Sequence, residues 1–155
     1  MADFEIKNGV AVIPEGTTTI GDDAFKDCSS LHSITIPESV TRIGWSAFSG
    51  CSSLQSITIP KSVTAISYYA FYGCSSLQSI TIPESVTEIG ESAFRGCSSL
   101  QRITIPEGGT EIDDSDFNGC SSLQSIVVAK GNPKFDSREG CNAIIETATN
   151  KLIVG

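Results

Sequence analysis

The amino-acid sequence predicts a β-rich solenoid, a curved, right-handed coil of short parallel strands whose apolar side chains stack into one continuous core. Three columns of residues predict this fold, because each column recurs every 23 positions along the 155-residue chain. The columns are cysteine (Cys28, Cys51, Cys74, Cys97, Cys120), phenylalanine (Phe25, Phe48, Phe71, Phe94, Phe117) and proline (Pro14, Pro37, Pro60, Pro83, Pro106). A repeat of this length is typical of solenoids, in which each unit buries its apolar face against its neighbours.

The repeats divide the chain into a central array and two ends. We expect residues 1–155 to form a single solenoid, with four complete repeats at 28–119. An N-terminal cap and a degenerate repeat occupy 1–27, and a partial repeat and a C-terminal cap occupy 120–155. Caps are expected because a stack of strands otherwise leaves unpaired edges at both ends.

Within one repeat, the order of residues predicts each local element. The segment at 56–59 alternates polar residues with isoleucine, which predicts a strand with one buried face. Pro60 ends this strand because it has no N–H to donate. Val63 and Ile66 then predict a second short extended segment. Ala70 and Phe71 are expected in a single helical turn, on the side opposite the first strand.

Both ends of the chain show hairpin patterns that suit caps. Apolar residues at 4–6 and 10–12 flank Asn8-Gly9, a pair that favours a tight two-residue turn between antiparallel strands. Near the other end, apolar residues at 143–145 and 152–154 flank a polar segment at 147–150. These patterns predict one hairpin at each end of the stack.

The apolar spacing within the repeat identifies the class of solenoid. Leu54, Ile57 and Ile59 follow the L-x-x-L-x-L core of leucine-rich repeats, at a repeat length within their usual range. The sequence therefore predicts a leucine-rich-repeat solenoid with parallel strands on the concave face and a short strand or helical turn on the other side.

The full repeat resembles that of the BspA-like leucine-rich repeat family. The matching residues of one repeat are Cys74, Leu77, Ile80, Ile82, Pro83, Val86, Ile89, Gly90, Ala93 and Phe94. The segment at 132–146 also resembles one found in gut bacterial members. The resemblance implies a curved solenoid, and it implies a role in adhesion or host-protein binding at a bacterial surface. It supplies no catalytic residues.

The repeats are nearly identical to one another, down to the shared string C-S-S-L-Q-S-I-T-I-P. Natural arrays usually diverge, so this uniformity indicates either a recent duplication or a designed consensus array. In the second case the chain would be a scaffold without a native ligand, produced in the cytosol.

Charge and hydropathy exclude several classes of partner. The net charge of −8 argues against nucleic acids and anionic membrane surfaces, which need clustered lysine and arginine. No apolar run approaches the roughly 18 residues of a membrane span. The first five residues also lack the pattern of a signal peptide, so we expect a cytosolic protein, a mature form or an engineered chain.

The candidate binding surface is a cluster of aromatic residues on the variable side of two adjacent repeats. It contains the sole tryptophan and all three tyrosines of the chain, and arginine borders it on both sides. Its residues are Arg42, Trp45, Tyr68, Tyr69, Tyr72 and Arg95. Trp, Tyr and Arg are enriched in interaction hot spots, which predicts a site for a protein partner or for self-association. The alternative is that half of these side chains pack beneath the turn.

The exposed positions of the strand face are small and polar. They hold residues such as Gln55, Ser56 and Thr58, and Arg102 is the one hot-spot residue type among them. We expect this face to be a solvated surface without a site, the alternative being a weakly adhesive one.

The cysteines and the histidine give little indication of a metal site or an active site. The cysteine column is expected to be inward and unbridged, with buried thiols acting as small apolar groups, whereas Cys141 is out of phase and expected to be exposed. His32 is the only histidine and no C-x-x-C occurs, so we predict no metal site, no cofactor and no catalytic residue. A hydrolase using Cys28 or a serine remains the rival class.

Three aspartates in the fifth repeat, Asp113, Asp114 and Asp116, depart from the consensus. Asp116 replaces an inward alanine, and a buried carboxylate without a partner is costly, so we expect this coil to loosen. A calcium site is the alternative, although the spacing of a calcium-binding loop is absent.

Overall fold

The computed structural model describes residues 4–106, 114–128, 135–136, 144–146 and 151–154. It is a β-solenoid of about five turns with parallel strands and almost no helix, which confirms the predicted fold class. Two ladders of short strands run along the stack, one on each side of a shared core.

The first ladder forms the strand face, on which alternate side chains point to solvent. It consists of β2 (Val10–Val12), β4 (Ser33–Thr35), β6 (Ser56–Thr58), β8 (Ser79–Thr81), β10 (Arg102–Ile105) and β11 (Ser125–Val128). Except between β4 and β6, neighbouring strands pair in the register of the repeat, so that Ile57 lies beside Ile80 and Thr58 beside Thr81. Pairing of equivalent residues is what a strict 23-residue period requires.

The second ladder forms the opposite side of the coil and confirms the second extended segment. It consists of β3 (Thr19–Ile20), β5 (Arg42–Ile43), β7 (Ala65–Ile66) and β9 (Glu88–Ile89), all parallel. The isoleucine of each strand is buried, and the residue before it is exposed except in β7, where Ala65 is half-buried. This ladder leads directly into the turns that carry the aromatic residues.

The N-terminal cap is the predicted hairpin. Strand β1 (Ile6–Lys7) pairs antiparallel with β2. Asn8 and Gly9 both take positive φ angles, 52° and 78°, as a tight hairpin turn of this kind demands. Strand β2 also pairs parallel with β4, so the cap is continuous with the first ladder.

At the other end, three strands form an antiparallel sheet of their own. They are β12 (Phe135–Asp136), β13 (Ile144–Glu146) and β14 (Lys151–Val154), and β13 pairs with both of the others. The pairing of β13 with β14 agrees with the predicted second hairpin. The residues of its turn, at 147–150, lie outside the described residues.

A stack of phenylalanine rings runs through the core. Phe4 begins it and five rings of the repeat follow, with centroids 5.3–5.6 Å apart and nearly parallel planes up to Phe94. The step from Phe94 to Phe117 is wider, at 6.3 Å. The rings of four coils are fully buried, namely Phe25, Phe48, Phe71 and Phe94. Each coil therefore contributes one ring, which is shielded from solvent by stacking on the rings of the neighbouring coils.

The predicted helical turn at Ala70-Phe71 takes the form of successive hydrogen-bonded turns. Tyr69 has a φ of 59° and Gly73 a φ of 71°, and a left-handed residue interrupts a helix. The interruption directs the Phe71 and Gly73 amides to carbonyls of the next coil, Ala93 and Arg95, each at 2.8 Å. The turns are therefore bonded between coils, as the strands are. A 3-10 helix occurs at Asp114–Phe117.

The positive backbone angle at the end of each turn favours the glycine found there from Gly50 onward, and Asp27 adopts a φ of 58° at the equivalent position of the first coil. We expect Gly73→Ala to lower the free energy of unfolding by about 1–2 kcal/mol, because an L side chain is strained at positive φ. The space itself would accommodate a methyl group, since the nearest heavy atom would lie 3.9 Å away. Urea unfolding of both proteins measures the difference.

Gly21→Ala is the matched control for this substitution. Gly21 has no positive φ, and a Cβ there would meet nothing within 4 Å. We expect its effect to stay within about 0.5 kcal/mol. Equal effects at the two positions would show that backbone strain is not the reason for Gly73.

The strand face is interrupted between β4 and β6, which belong to two separate sheets. A shallow cleft of about 300 Å³ lies there, lined by Ile34, Thr35, Ile36, Glu38, Thr58 and Pro60. Ile36 is half-exposed, whereas the equivalent Ile59 and Ile82 are buried. The repeats are nearly the same at this point, so the sequence does not indicate the interruption.

Candidate functional site

The aromatic patch comprises Trp45, Tyr68, Tyr69 and Tyr72, with Arg42 and Arg95 at its borders. Its side chains lie on the turns that follow the second ladder. Trp45 is 53% exposed, Tyr68 52% and Tyr72 41%, while Tyr69 is half-buried. Exposure of this extent favours a surface for contact over the alternative in which half of the rings pack beneath the turn.

The repeat places the rings in two pairs. Trp45 and Tyr68 occupy equivalent positions of adjacent coils, and their ring centroids lie 6.0 Å apart at an interplanar angle of 62°. Tyr69 and Tyr72 belong to one coil, and their rings meet edge to face with centroids 5.8 Å apart. Edge-to-face contacts fix the rings relative to one another. These contacts therefore order the rings within each pair.

Tyr69 has an unusual backbone conformation for a bulky residue. Its φ is 59°, in the left-handed region, and the equivalent positions of other coils carry Asp23, Ser46 and Ser92 at similar angles. Small polar residues tolerate this region better than a tyrosine does. Backbone strain of this kind is concentrated at functional sites, which makes Tyr69 a candidate for one.

The two arginines lie on either side of the patch and are both exposed. On β5, the Arg42 guanidinium donates a hydrogen bond from Nη2 to Oγ of Ser67 at 3.2 Å. Ser67 immediately precedes Tyr68, so this bond holds the guanidinium beside the rings. Arg95 occupies the position equivalent to Tyr72 in the following coil.

The strand face is polar along its middle coils, as expected. Gln55, Ser56 and Thr58 are exposed, and so are their equivalents in the next two coils. The face becomes apolar at both ends, which differs from the small, polar surface expected along its whole length. Val10 and Val12 are exposed at the N-terminal end and Val127 at the other. The sequence did carry a signal for the N-terminal end. Side chains alternate between the two faces of a strand, so with Ala11 buried, Val10 and Val12 must face solvent.

The cysteine column is inward and unbridged, as predicted. Cys51, Cys74 and Cys97 are buried free thiols, while Cys28 and Cys120 are half-buried. Each thiol from Cys51 onward donates to the main-chain carbonyl 26 residues earlier, as Cys51 does to Phe25 at 3.1 Å. Desolvation raises the pKa of Cys51 to about 12 and that of Cys97 to about 12. Cys141 lies outside the described residues.

Asp116 corrects one expectation about the fifth coil. It is buried, as predicted, but it has a partner: its Oδ1 accepts a hydrogen bond from the Ser92 amide at 2.8 Å. In an earlier coil the equivalent amide, that of Ser46, donates to a main-chain carbonyl. The carboxylate thus replaces a backbone acceptor of the neighbouring coil. The wider ring spacing and the 3-10 helix show a local rearrangement there.

The structure does not bring Cys28 and His32, the candidates for catalysis, together. His32 is exposed on the strand face, and Cys28 is half-buried in the core column. Burial, aided by Asp27, raises the pKa of the Cys28 thiol. Within the described ranges no three Cys, His, Asp or Glu side chains are grouped to hold a metal ion. Asp113 of the proposed calcium site lies outside those ranges.

No helix in the described part of the chain has the length and hydropathy needed to cross a membrane.

Comparison with protein families gives one match. The BspA type leucine rich repeat region matches residues 10–142 in six copies. Comparison with curated protein sequences gives no significant match.

Three solved structures illustrate the similarity of fold. A leucine rich cell surface protein from Faecalibacterium prausnitzii A2-165 is 40% identical, with a TM-score of 0.76 over 79% of this chain and 32% of its own. The T. pallidum leucine rich repeat protein is 29% identical, with a TM-score of 0.78 over 94% of this chain and 78% of its own. A leucine-rich repeat protein from Bacteroides ovatus is 30% identical, with a TM-score of 0.67 over 78% and 30%. The chain spans about a third of the first and third proteins.

Proposed function

The chain belongs to the BspA-type leucine-rich repeat family, and on this premise we propose that it is a non-enzymatic repeat protein that binds a protein partner through the aromatic patch. The observation that carries the proposal is the exposure of Trp45, Tyr68 and Tyr72 on adjacent coils. Large aromatic side chains dominate the energy of interfaces when a partner covers them. The middle coils of the strand face, which are small and polar, offer no comparable anchor.

The properties of Cys28 and His32 disfavour the rival hydrolase. A nucleophilic cysteine needs a lowered pKa and a base within hydrogen-bonding reach. Burial raises the pKa of Cys28 instead, and the imidazole of His32 is exposed on the strand face. Turnover of generic ester or peptide substrates that disappears in His32→Ala would revive the hydrolase.

Two versions of the proposal differ in whether a native partner exists. In one, the chain is a fragment of a bacterial surface adhesin that binds host proteins, and the likeness to a cell surface protein of Faecalibacterium prausnitzii supports it. In the other, the repeats are a designed consensus array that forms a scaffold without a native ligand, and their near identity supports it. A second copy of the chain is the alternative occupant of the patch in both versions.

The test is capture by immobilised protein from a panel of purified mammalian extracellular proteins. We expect the triple variant Trp45→Ser, Tyr68→Ser, Tyr69→Ser to bind the captured partner at least about tenfold more weakly, because hot-spot rings are lost. Serine suits position 69, since Ser46 adopts the same backbone angle one coil earlier. The double variant Gln55→Ser, Gln78→Ser on the strand face is the matched control and should bind as the wild type does.

Two results would contradict the proposal. One is a captured protein that the triple variant binds as tightly as the wild type does. The other is an empty capture at micromolar concentration combined with a wild-type monomer in light scattering. A wild-type dimer that becomes a monomer in the triple variant would identify the second copy as the occupant.

A further inference from the structure

Acidic and basic side chains around the aromatic patch lie in different columns of the stack. Equivalent positions in successive coils form columns along the stack, and the Trp45–Tyr68 column continues to Asp22 on one side and Glu91 on the other. The Tyr72 column is different, because it is bounded by basic side chains. Its members are Lys26, Ser49, Tyr72, Arg95 and Asn118. Over the first four coils, the two columns thus carry opposite charges on either side of the aromatic rings.

The carboxylate of Asp22 is fixed next to Trp45. Its Oδ1 accepts a hydrogen bond from the Trp45 amide at 2.8 Å, which holds the acid at the end of the ring pair. A carboxylate has further acceptor sites beyond this one bond. Glu91 is exposed at the opposite end of the column. In the described part of the chain, no basic side chain lies within ion-pair distance of Asp22 or Glu91.

An exposed pair of aromatic rings between two carboxylates is suited to bind a cation. The faces of tryptophan and tyrosine attract guanidinium and ammonium groups, and nearby carboxylates add to the attraction. The protein carries a net charge of −8, which also favours a basic partner. The segment from Thr64 to Gly73, which carries Tyr68, contains no charged residue.

We propose that the Trp45–Tyr68 pair, with Asp22 and Glu91 at its ends, binds an arginine or lysine side chain from a basic segment of the partner protein. This inference rests on the proposed function and specifies the chemistry of the partner. The Tyr72 column does not take the cation, because Lys26 and Arg95 repel it there. The Arg42 guanidinium, bonded to Ser67, is a basic group at the border of the pair, where the two carboxylates of Asp22 and Glu91 outnumber it.

The test uses Trp45 itself as the reporter, since it is the only tryptophan in the chain. The probe is an acetylated pentapeptide amide with two arginines separated by glycine, compared with the same peptide carrying glutamine or glutamate. At low ionic strength we expect a saturable change in tryptophan fluorescence with the arginine peptide. The glutamine peptide should bind about two- to fivefold more weakly, as loss of an exposed cation–π contact predicts.

Variants test the column that binds the cation. Tyr68→Ser and Glu91→Gln should each weaken binding of the arginine peptide, whereas Tyr68→Phe keeps a ring and should retain it. Glu84→Gln removes an exposed carboxylate outside the patch, so it is the matched control for Glu91→Gln and should leave binding unchanged. Equal binding of the arginine and glutamine peptides, or equal losses in Glu84→Gln and Glu91→Gln, would overturn the inference.

The proposed function fails in a different way from this inference. If the patch captures a protein but the arginine peptide binds no better than the glutamine peptide, the interaction role stands and its cationic chemistry is wrong. If the arginine peptide binds and the triple variant still captures the partner, the cation site exists but the partner lies elsewhere.

Discussion

Replacing Phe71 with alanine is expected to lower the free energy of unfolding by about 3–5 kcal/mol. The ring is fully buried and stacks between Phe48, at a centroid distance of 5.3 Å, and Phe94, at 5.6 Å. Its removal leaves a cavity that opens toward both neighbouring coils, and the rigid ladders on either side limit collapse. Because coils are stabilised by their neighbours, we also expect a less cooperative transition. Urea unfolding followed by circular dichroism measures both effects.

Tyr72→Ala provides the matched control, one position along the same turn. The Tyr72 ring is 41% exposed and contacts Tyr69 edge to face, so its loss should cost less than about 1.5 kcal/mol. A change of under about 1 kcal/mol for Phe71→Ala itself would mean that the ring stack contributes little to the core.

The core could be predicted from the sequence because it depends on the period alone. The phenylalanine and cysteine columns fix which residues face inward, and strict spacing requires equivalent residues to pair. The N-terminal hairpin was also predictable, since Asn8 and Gly9 suit the positive φ angles that its turn requires. These features follow from local chemistry and from repetition, and neither needs knowledge of distant contacts.

Features that depend on contacts between coils were not predictable in the same way. The Asp116 carboxylate finds its donor at Ser92, 24 residues earlier, where another coil uses a main-chain carbonyl instead. The interruption between β4 and β6 occurs in repeats of nearly equal sequence. For the aromatic patch, the 23-residue period predicted which residues share a column. It did not predict the left-handed backbone of Tyr69 or the hydrogen bond between the Asp22 carboxylate and the Trp45 amide.

The cysteine column predicts a steep loss of stability in alkali. Burial raises the pKa of Cys51 and of Cys97 from the ordinary 9.0 to about 12, and Cys74 shifts in the same direction. Below pH 9 the thiols are neutral in the folded and unfolded chains alike. Between pH 9 and 12 the unfolded chain loses these protons and the folded chain keeps them. The unfolded state is therefore favoured by about 1.4 kcal/mol per pH unit for each such thiol.

A variant with Cys51→Ser and Cys97→Ser isolates this effect. Serine does not titrate in this range, and its hydroxyl retains a donor for the carbonyls that the thiols contact, those of Phe25 and Phe71. We expect the free energy of unfolding, measured with urea under reducing conditions from pH 7 to 11, to fall less steeply in the variant above pH 9. The tyrosines are the same in both proteins, so their titration cancels in the comparison. Parallel curves would show that the buried thiols are not the source of the alkaline loss, and that the core column ionises without opening the stack.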